Sequence, residues 1–201
     1  MRQETAGVTE TLIDSAKKEF LEHGFPNANL RRISSESGVS TGSIYTRFGD
    51  KAGLFSAVVK PAADGLMKMY LDSITAATES GDPAEATSQG DEGTELVLKY
   101  IYDNFDVFKL IFCHSAGTEY EHYFDELAEI EEKYYREFVK QFSRRENMVS
   151  DFFIHVICRT GWSYIYEVVS HDLSYDEAQV FMKSIREFCF AGWGKVLGTD
   201  L

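Results

Sequence analysis

Proline is scarce in this chain, three in 201 residues, and stretches of strict apolar–polar alternation bounded by turn residues are hard to find. Both shortages work against a sandwich or barrel and favour helices. No apolar run approaches the roughly 18 residues that a membrane-spanning helix needs, and residues 1–11 are polar, without the apolar stretch of a signal peptide. A cytoplasmic protein with no membrane partner is the expectation. Cysteine occurs only as Cys113, Cys158 and Cys189; an odd number, each within an apolar helical pattern, reads as buried free thiols in a reducing compartment. A Gly-rich phosphate loop, a nucleophile elbow and an HExxH motif are all missing. His155 and Cys158 lie three apart, and Cys113-His114 has His122 nearby in sequence, but a metal site needs three or four convergent ligands. Glu119-Tyr120-Glu121-His122 is a single Glu-x-x-His, where a di-iron bundle needs two copies and further carboxylates. No catalytic residue, no metal and no cofactor is expected.

What the chain has in quantity is apolar and acidic side chains. Hydrophobic residues make up 44% and aromatic residues 14%, enough for a sizeable core and too many for a disordered segment. The net charge of −13 argues, as an average, against a nucleic-acid partner, but it is unevenly spread. Residues 1–60 hold eight Lys and Arg against seven Asp and Glu, a balance of +1, so residues 61–201 carry −14. A near-neutral first segment can turn Lys and Arg toward phosphates while an acidic body stays clear of them.

Apolar spacing predicts about nine helices and no sheet, an all-α fold. The first helix is expected over residues 9–23, where Leu12, Ile13, Ala16, Phe20 and Leu21 share a face, with Gly24 as its stop and Pro26 beyond. Asn29 is a good N-cap for a second helix, 30–37, ended by Gly38. Ser40 caps a short third, 41–48. Gly49-Asp50 then separates it from a long fourth helix that starts at Lys51 and reaches about Ile74, with a kink or local break at Pro61. Residues 78–93 read as a connection, although Asp82-Pro83-Ala84-Glu85 is also a fair helix start. Leu96, Val97, Tyr100 and Ile101, then Phe105, Phe108, Ile111 and Phe112, mark two further helices. Capping-box patterns at Thr118-Glu119-Tyr120-Glu121 and Ser174-Tyr175-Asp176-Glu177 open two more, with another from about Ser150 to Ser170 between them. The acidic run Glu126, Glu129, Glu131 and Glu132 reads as a solvated helix face.

Residues 29–51 have the properties of a helix-turn-helix. Such a motif needs two short helices locked at an angle, so that the second enters the major groove and reads base edges. Ile33, Val39, Ile44 and Phe48 supply the lock, and Gly38 supplies the turn. Thr41, Gly42, Ser43, Tyr45, Thr46 and Arg47 give the second helix a small, polar outer face. The run Gly38, Val39, Ser40, Gly42, Ile44, Tyr45, Phe48, Lys51 and Leu54, at its fixed spacing, resembles the N-terminal domain of TetR-type transcriptional regulators. Ser34 stands where that family usually has Ala, and Arg47 where His or another polar residue is common.

The resemblance implies a DNA-binding domain over residues 1–50 and a helical effector-binding and dimerisation domain over 51–201. It implies phosphate contacts by Tyr45 and Lys51, and Asn29 placing a helix N-terminus near a phosphate. Thr41, Gly42, Ser43 and Thr46, with Arg47, become the candidates for base readout. It further implies a homodimer formed through the last two helices, with recognition helices about 34 Å apart on a palindromic double-stranded operator, and a small-molecule effector that releases a one-component repressor from it. The residues themselves offer Tyr100, Phe108, Phe112, Tyr134, Phe138, His155, Arg159, Trp162 and Tyr166 as an effector site, or simply as core. Arg159 and His155, charged groups on an apolar helix, call for an anionic ligand or an acidic partner within the protein. Two alternatives remain: a DNA-binding protein that works through a protein partner without an effector, and an α-helical enzyme.

Overall fold

Helices account for every regular element in residues 6–79, 83–143 and 149–198, which the computed structural model describes. Among these residues there are nine: α1 (Ala6–Asn27), α2 (Leu30–Ser37), α3 (Thr41–Phe48), α4 (Lys51–Glu79), α5 (Pro83–Asp103), α6 (Phe105–Cys113), α7 (Tyr123–Phe142), α8 (Asp151–Ser170) and α9 (Tyr175–Leu197). None of the described helices is long and apolar enough to cross a membrane, and among the described residues no group of three or more His, Cys, Asp or Glu is placed to hold a metal. Packing sorts the chain into two units, one of residues up to Asp64 with Asn104–Tyr123, the other of Gly65–Asp103 with the chain from Phe124 onward.

In the first unit the apolar residues that give the short helices their spacing also form its core. Leu12, Phe20, Ile33, Ile44, Leu54 and Phe55 are all fully buried, and Phe55 takes the edges of Phe20 and Phe25 at 5.0 and 5.5 Å between centroids. Gly24 breaks α1 where a stop is expected, with φ 68°, and one more helical turn follows it. Gly38 ends α2 in the left-handed region at φ 69°, a conformation a Cβ would strain. Gly53 is needed for a different reason: a Cβ there would lie 1.9 Å from the Phe48 carbonyl oxygen, so only glycine lets the end of α3 meet the start of α4. Asp50 caps α4 through the Gly53 N–H at 2.8 Å. The helix then runs through Pro61 without the local break that residue suggests, giving up one backbone donor there.

The second unit holds the C-terminal part of α4 with α5, α7, α8 and α9. Leu66, Val97, Ile101, Leu127, Ile154, Cys158, Ile165 and Val169 form its core. The Tyr102 hydroxyl donates to the Leu173 carbonyl at 2.9 Å, and Arg186 pairs with Glu95 at 3.0 Å.

Four expectations need correction. Much of the connection expected over 78–93 is helical: α5 begins at Pro83, the alternative start, where proline suits a first helical position because its missing N–H is not used there. The Thr118 pattern opens no helix. Its hydroxyl accepts from the Tyr120 N–H two residues on, at 3.1 Å, and donates to Ser115, a side-chain turn that postpones α7 to Tyr123. The acidic run is not uniformly solvated: Glu126 and Glu129 are exposed, Glu132 is buried and Glu131 half-buried. All three cysteines are free, but only Cys158 is fully buried.

Candidate functional site

The first site is the surface of α2 and α3. Asn29 holds an extended backbone and accepts the Arg31 N–H on its side chain at 2.9 Å. Ser40 does the same for the Ser43 N–H at 3.2 Å and also bonds the Ser43 hydroxyl at 3.0 Å. Both helices therefore start where their caps are written. Ile33, Val39 and Ile44 are buried and Phe48 half-buried, leaving the opposite face of α3 open.

On that face Gly42, Tyr45, Thr46 and Arg47 are exposed, while Thr41 and Ser43 are half-buried. A Cβ at Gly42 would meet only the Ser40 hydroxyl at 3.9 Å, so the backbone there is open to close approach. Tyr45 is 54% exposed, a large exposure for an aromatic ring. The Thr46 hydroxyl donates back to the Gly42 carbonyl at 2.8 Å, leaving its lone pairs for an incoming donor. Arg47 leans away from α3 and donates to Thr9 on α1 at 2.7 Å, so it tethers two helices as well as offering charge. Lys51 is more committed than its sequence position suggests. Its ammonium donates to the Pro26 and Ala28 carbonyls at 3.0 and 3.2 Å and sits 4.7 Å over the Phe25 ring, which leaves one donor of three.

A clamp behind this surface is not visible in the sequence. Glu19 of α1 is buried and accepts from Arg32 Nε at 2.9 Å and from the Asn29 N–H at 2.7 Å. Burial alone would raise the Glu19 carboxyl, but the Arg32 guanidinium and the Asn29 N–H outweigh it and hold it below its ordinary range. Glu19 thus fixes the start of α2 to α1. Only the 13-residue spacing of Glu19 and Arg32 hints at the pair, and no helical periodicity links them.

The nine aromatic and charged candidates of the helical body do not form one set. Phe108 and Phe112 pack together at 5.5 Å within the first unit, and Phe108 is fully buried. Tyr100, Tyr134, Phe138, His155, Arg159, Trp162 and Tyr166 belong to the second. Tyr134 and Phe138 meet at a tilt with centroids 6.0 Å apart, beside Trp193 and Leu197. Tyr166 is exposed. The charged pair has its partner within the protein: buried Glu132 accepts from Arg159 at 2.8 Å, lies 2.9 Å from His155 Nδ1 and accepts from Arg136 at 3.1 Å, and Arg159 also reaches Asp125 at 3.4 Å. An anionic ligand is not needed to account for either side chain.

Glu131, next in sequence, has the opposite surroundings. Its Oε2 is sealed from solvent without a hydrogen-bond partner, and so is the Trp162 indole Nε1. The indole N–H favours the charged form of both the Glu131 carboxyl and the Tyr70 hydroxyl, yet reaches hydrogen-bond geometry to neither. Burial pushes the Glu131 carboxyl up to about 8. Burial, with the nearby Glu131 charge, likewise raises Tyr70, Tyr134, Tyr135, Cys158 and Cys189. In the sequence Glu131 is one acid in a run of acids, and nothing there marks it as the buried one.

Comparison with known proteins finds similarity over the stretch that includes α2 and α3. The family model described as "Bacterial regulatory proteins, tetR family" matches residues 12–58. The HTH-type transcriptional repressor AcnR of Corynebacterium glutamicum is 37% identical over 54 residues, 27% of this chain and 29% of AcnR. AcnR of Corynebacterium diphtheriae is 35% identical over 64 residues, 32% of this chain and 34% of that protein. The similarity thus spans about a third of these relatives' length or less. At the level of fold the likeness extends further. The TetR family transcriptional regulator PfmR of Thermus thermophilus superposes with a TM-score of 0.62 at 18% identity, over 94% of this chain and 98% of PfmR. The fatty acid degradation regulator FadR of Bacillus halodurans superposes with a TM-score of 0.56 at 17% identity, over 94% and 98%.

Proposed function

From the match of residues 12–58 to the tetR family of bacterial regulatory proteins, we propose that the protein is a cytoplasmic, one-component transcriptional repressor that binds a palindromic DNA operator as a homodimer and is released by a small-molecule effector. The observation that carries the proposal is the α2–α3 pair. Both helices are capped at their first turns, both are pinned by a sealed core, and α3 presents an open polar face with an exposed tyrosine at its centre. That is the form a major-groove reader requires. In this reading residues 1–50 bind DNA, with Tyr45, Lys51 and the α2 start beside Asn29 on phosphates, and with Thr41, Gly42, Ser43, Thr46 and Arg47 toward bases. Residues 51–201 hold the effector and the dimer contact. Named repressor relatives support the direction of regulation.

The dimer contact is proposed on α8 and α9. Phe152 is 74% exposed, Val180 69% and Phe188 73%. Val180, Ser184 and Phe188 fall at i, i+4 and i+8 on one face of α9, and Gly192 at i+12 leaves open space where a Cβ would sit. Large apolar side chains so exposed on adjoining helices suit a second copy of the same surface.

The test is a band shift with operator DNA selected from a random pool by the purified protein. A two-fold symmetric consensus is expected. Tyr45→Phe should weaken binding to every sequence alike, and Lys51→Ala should also lower the slope of log affinity against log salt by about one. Failure to select any DNA, or unchanged affinity in both variants, would overturn the proposal.

A further inference from the structure

We propose that Glu19 and Arg32 are positioning residues for DNA binding, which close the cap of α2 from a neighbouring helix and leave Arg31 as the charge that α2 offers to a phosphate. The inference rests on the reading above that the α2–α3 surface binds DNA, and it divides two adjacent arginines between different tasks.

Glu19 occupies a position that helical spacing reserves for an apolar side chain. Leu12 at i−7 and Ala16 at i−3 are fully buried on the same side of α1, and Glu19 is buried with them. A carboxylate is costly there unless it is paired and hydrogen-bonded. Among the described residues, the hydrogen bonds of this carboxylate come from the start of α2 alone. Both oxygens accept from Arg32 Nε at 2.9 Å, and Oε1 accepts the Asn29 N–H at 2.7 Å. Asn29 is the N-cap of α2 and Arg32 its third residue. In a capping box that third residue is a glutamate or glutamine, whose side chain turns back to the N–H of the cap. Here it is an arginine, and it draws in the Glu19 carboxylate, which takes that N–H instead. The connection into α2 is held in the same way. The Asn27 carbonyl accepts from Arg32 at 3.2 Å, and the Pro26 and Ala28 carbonyls on either side accept from Lys51 at 3.0 and 3.2 Å. Two cations grip three successive carbonyls, and the first turn of α2 is fixed against both α1 and the start of α4.

That grip leaves little of Arg32 for DNA. Its Nε and one terminal nitrogen are taken, and its charge is matched by Glu19. Glu36, one turn on along the same flank, is matched by Lys18 at 3.2 Å. Arg31 is placed differently. It lies about 100° round the helix from Arg32. It is exposed, and among the described residues no hydrogen bond or ion pair engages its guanidinium. The Asn29 and Arg31 N–H groups at this helix end are already bonded, to Glu19 and to the Asn29 side chain. An anion arriving there meets the Arg31 guanidinium with its donors unspent.

The test is an operator band shift with the whole protein over a series of salt concentrations, on the selected operator and on unrelated DNA. Arg31→Gln should lower the slope of log affinity against log salt by about one and weaken both DNAs alike, about tenfold at about 0.1 M salt. Arg32→Gln removes the same charge one residue on. It should weaken operator binding by about fivefold, the equivalent of a lost cap, at every salt concentration, with the slope of wild type. Glu19→Gln should also weaken binding, although it removes a negative charge from the DNA-binding unit. The double variant should bind no more weakly than the weaker single one, because either change opens the same strut. Arg32→Lys keeps the charge but not the fork, and it replaces Arg32→Gln if that variant loses helix by circular dichroism; it too should bind more weakly with an unchanged slope. The positioning role is overturned if Glu19→Gln binds operator as well as wild type or better, or if the Arg32 variants melt earlier yet bind equally well. It is also overturned if Arg32→Gln lowers the slope as Arg31→Gln does, which makes Arg32 itself a contact. An unchanged slope in Arg31→Gln, or a loss confined to one base pair of the operator, overturns the phosphate role of Arg31. A wild type that binds no DNA overturns the reading above along with this one; a wild type that binds while all these variants match it overturns this one alone.

Discussion

Glu131 and Glu132 are consecutive residues with opposite electrostatics, and the difference is measurable. In the folded chain burial holds the Glu131 carboxyl protonated up to about 8, whereas its ordinary value is 4.5. The unfolded chain therefore ionises first as pH rises. Stability linked to this group is fully present below the ordinary value and is lost as pH climbs through about 8, at about 1.4 kcal/mol for each pH unit over which the two states differ. Tyr70, Tyr134, Tyr135, Cys158 and Cys189 around it are all raised, so they do not titrate in that window. Glu131→Gln removes the slope. Melting curves at pH 5, 6.5 and 8 should show the variant gaining on wild type as pH rises, and an offset that is constant with pH would contradict the assignment. Glu19 has the reverse sign. Its carboxyl is held low by Arg32 and Asn29, so its contribution is present above the ordinary carboxylate range and is lost as pH falls below it.

Helix ends divide into those legible from a few residues and those that are not. Asn29, Ser40, Ser150 and Ser174 all cap the helices they precede, because an N-cap is a contact within three residues. At Ser174 both halves of the capping box form, with the Ser174 N–H donating to Glu177 at 2.8 Å. Ser174→Ala should cost about 1 kcal/mol in urea unfolding; no loss would mean that the start of α9 is held by packing instead. Thr118 has the same pattern and forms no box. Tyr120 and Tyr123 close by are buried, their hydroxyls bonded to Ser56 at 3.0 Å and to the Ala63 carbonyl at 2.7 Å. Those distant partners hold residues 118–122 in a turn, which the local pattern does not reveal. The start of α5 at Pro83 is legible as a possibility, but the Ala, Gly and Ser content of the stretch masks it.

For the molecule as a whole, the exposed apolar face of α8 and α9 is the feature that most needs a partner. If it is the dimer contact, Val180→Asp with Phe188→Asp should convert the protein to monomer in sedimentation at micromolar concentration while its helical content is unchanged. Operator affinity should fall with it, since one half-site offers only part of the contacts. A dimer that persists in the double variant would place the contact elsewhere.

The sequence by itself determined the all-helical architecture and the α2–turn–α3 motif with its resemblance to one family of regulators, because these rest on local spacing, caps and the few residues that a tight turn admits. It also marked which residues of α3 face outward, since Ile44 faces the core and its neighbours on the helix cannot. Tertiary structure decided the rest. It committed Lys51 to the Pro26 and Ala28 carbonyls, tied Arg47 to Thr9, set Glu19 as the clamp on α2, and divided the acidic face of α7 into one saturated glutamate and one unpaired. Each of these depends on which side chains meet across helices far apart in the chain. Burial and pairing, which set the energy of a charge, are properties of that meeting and not of the residue.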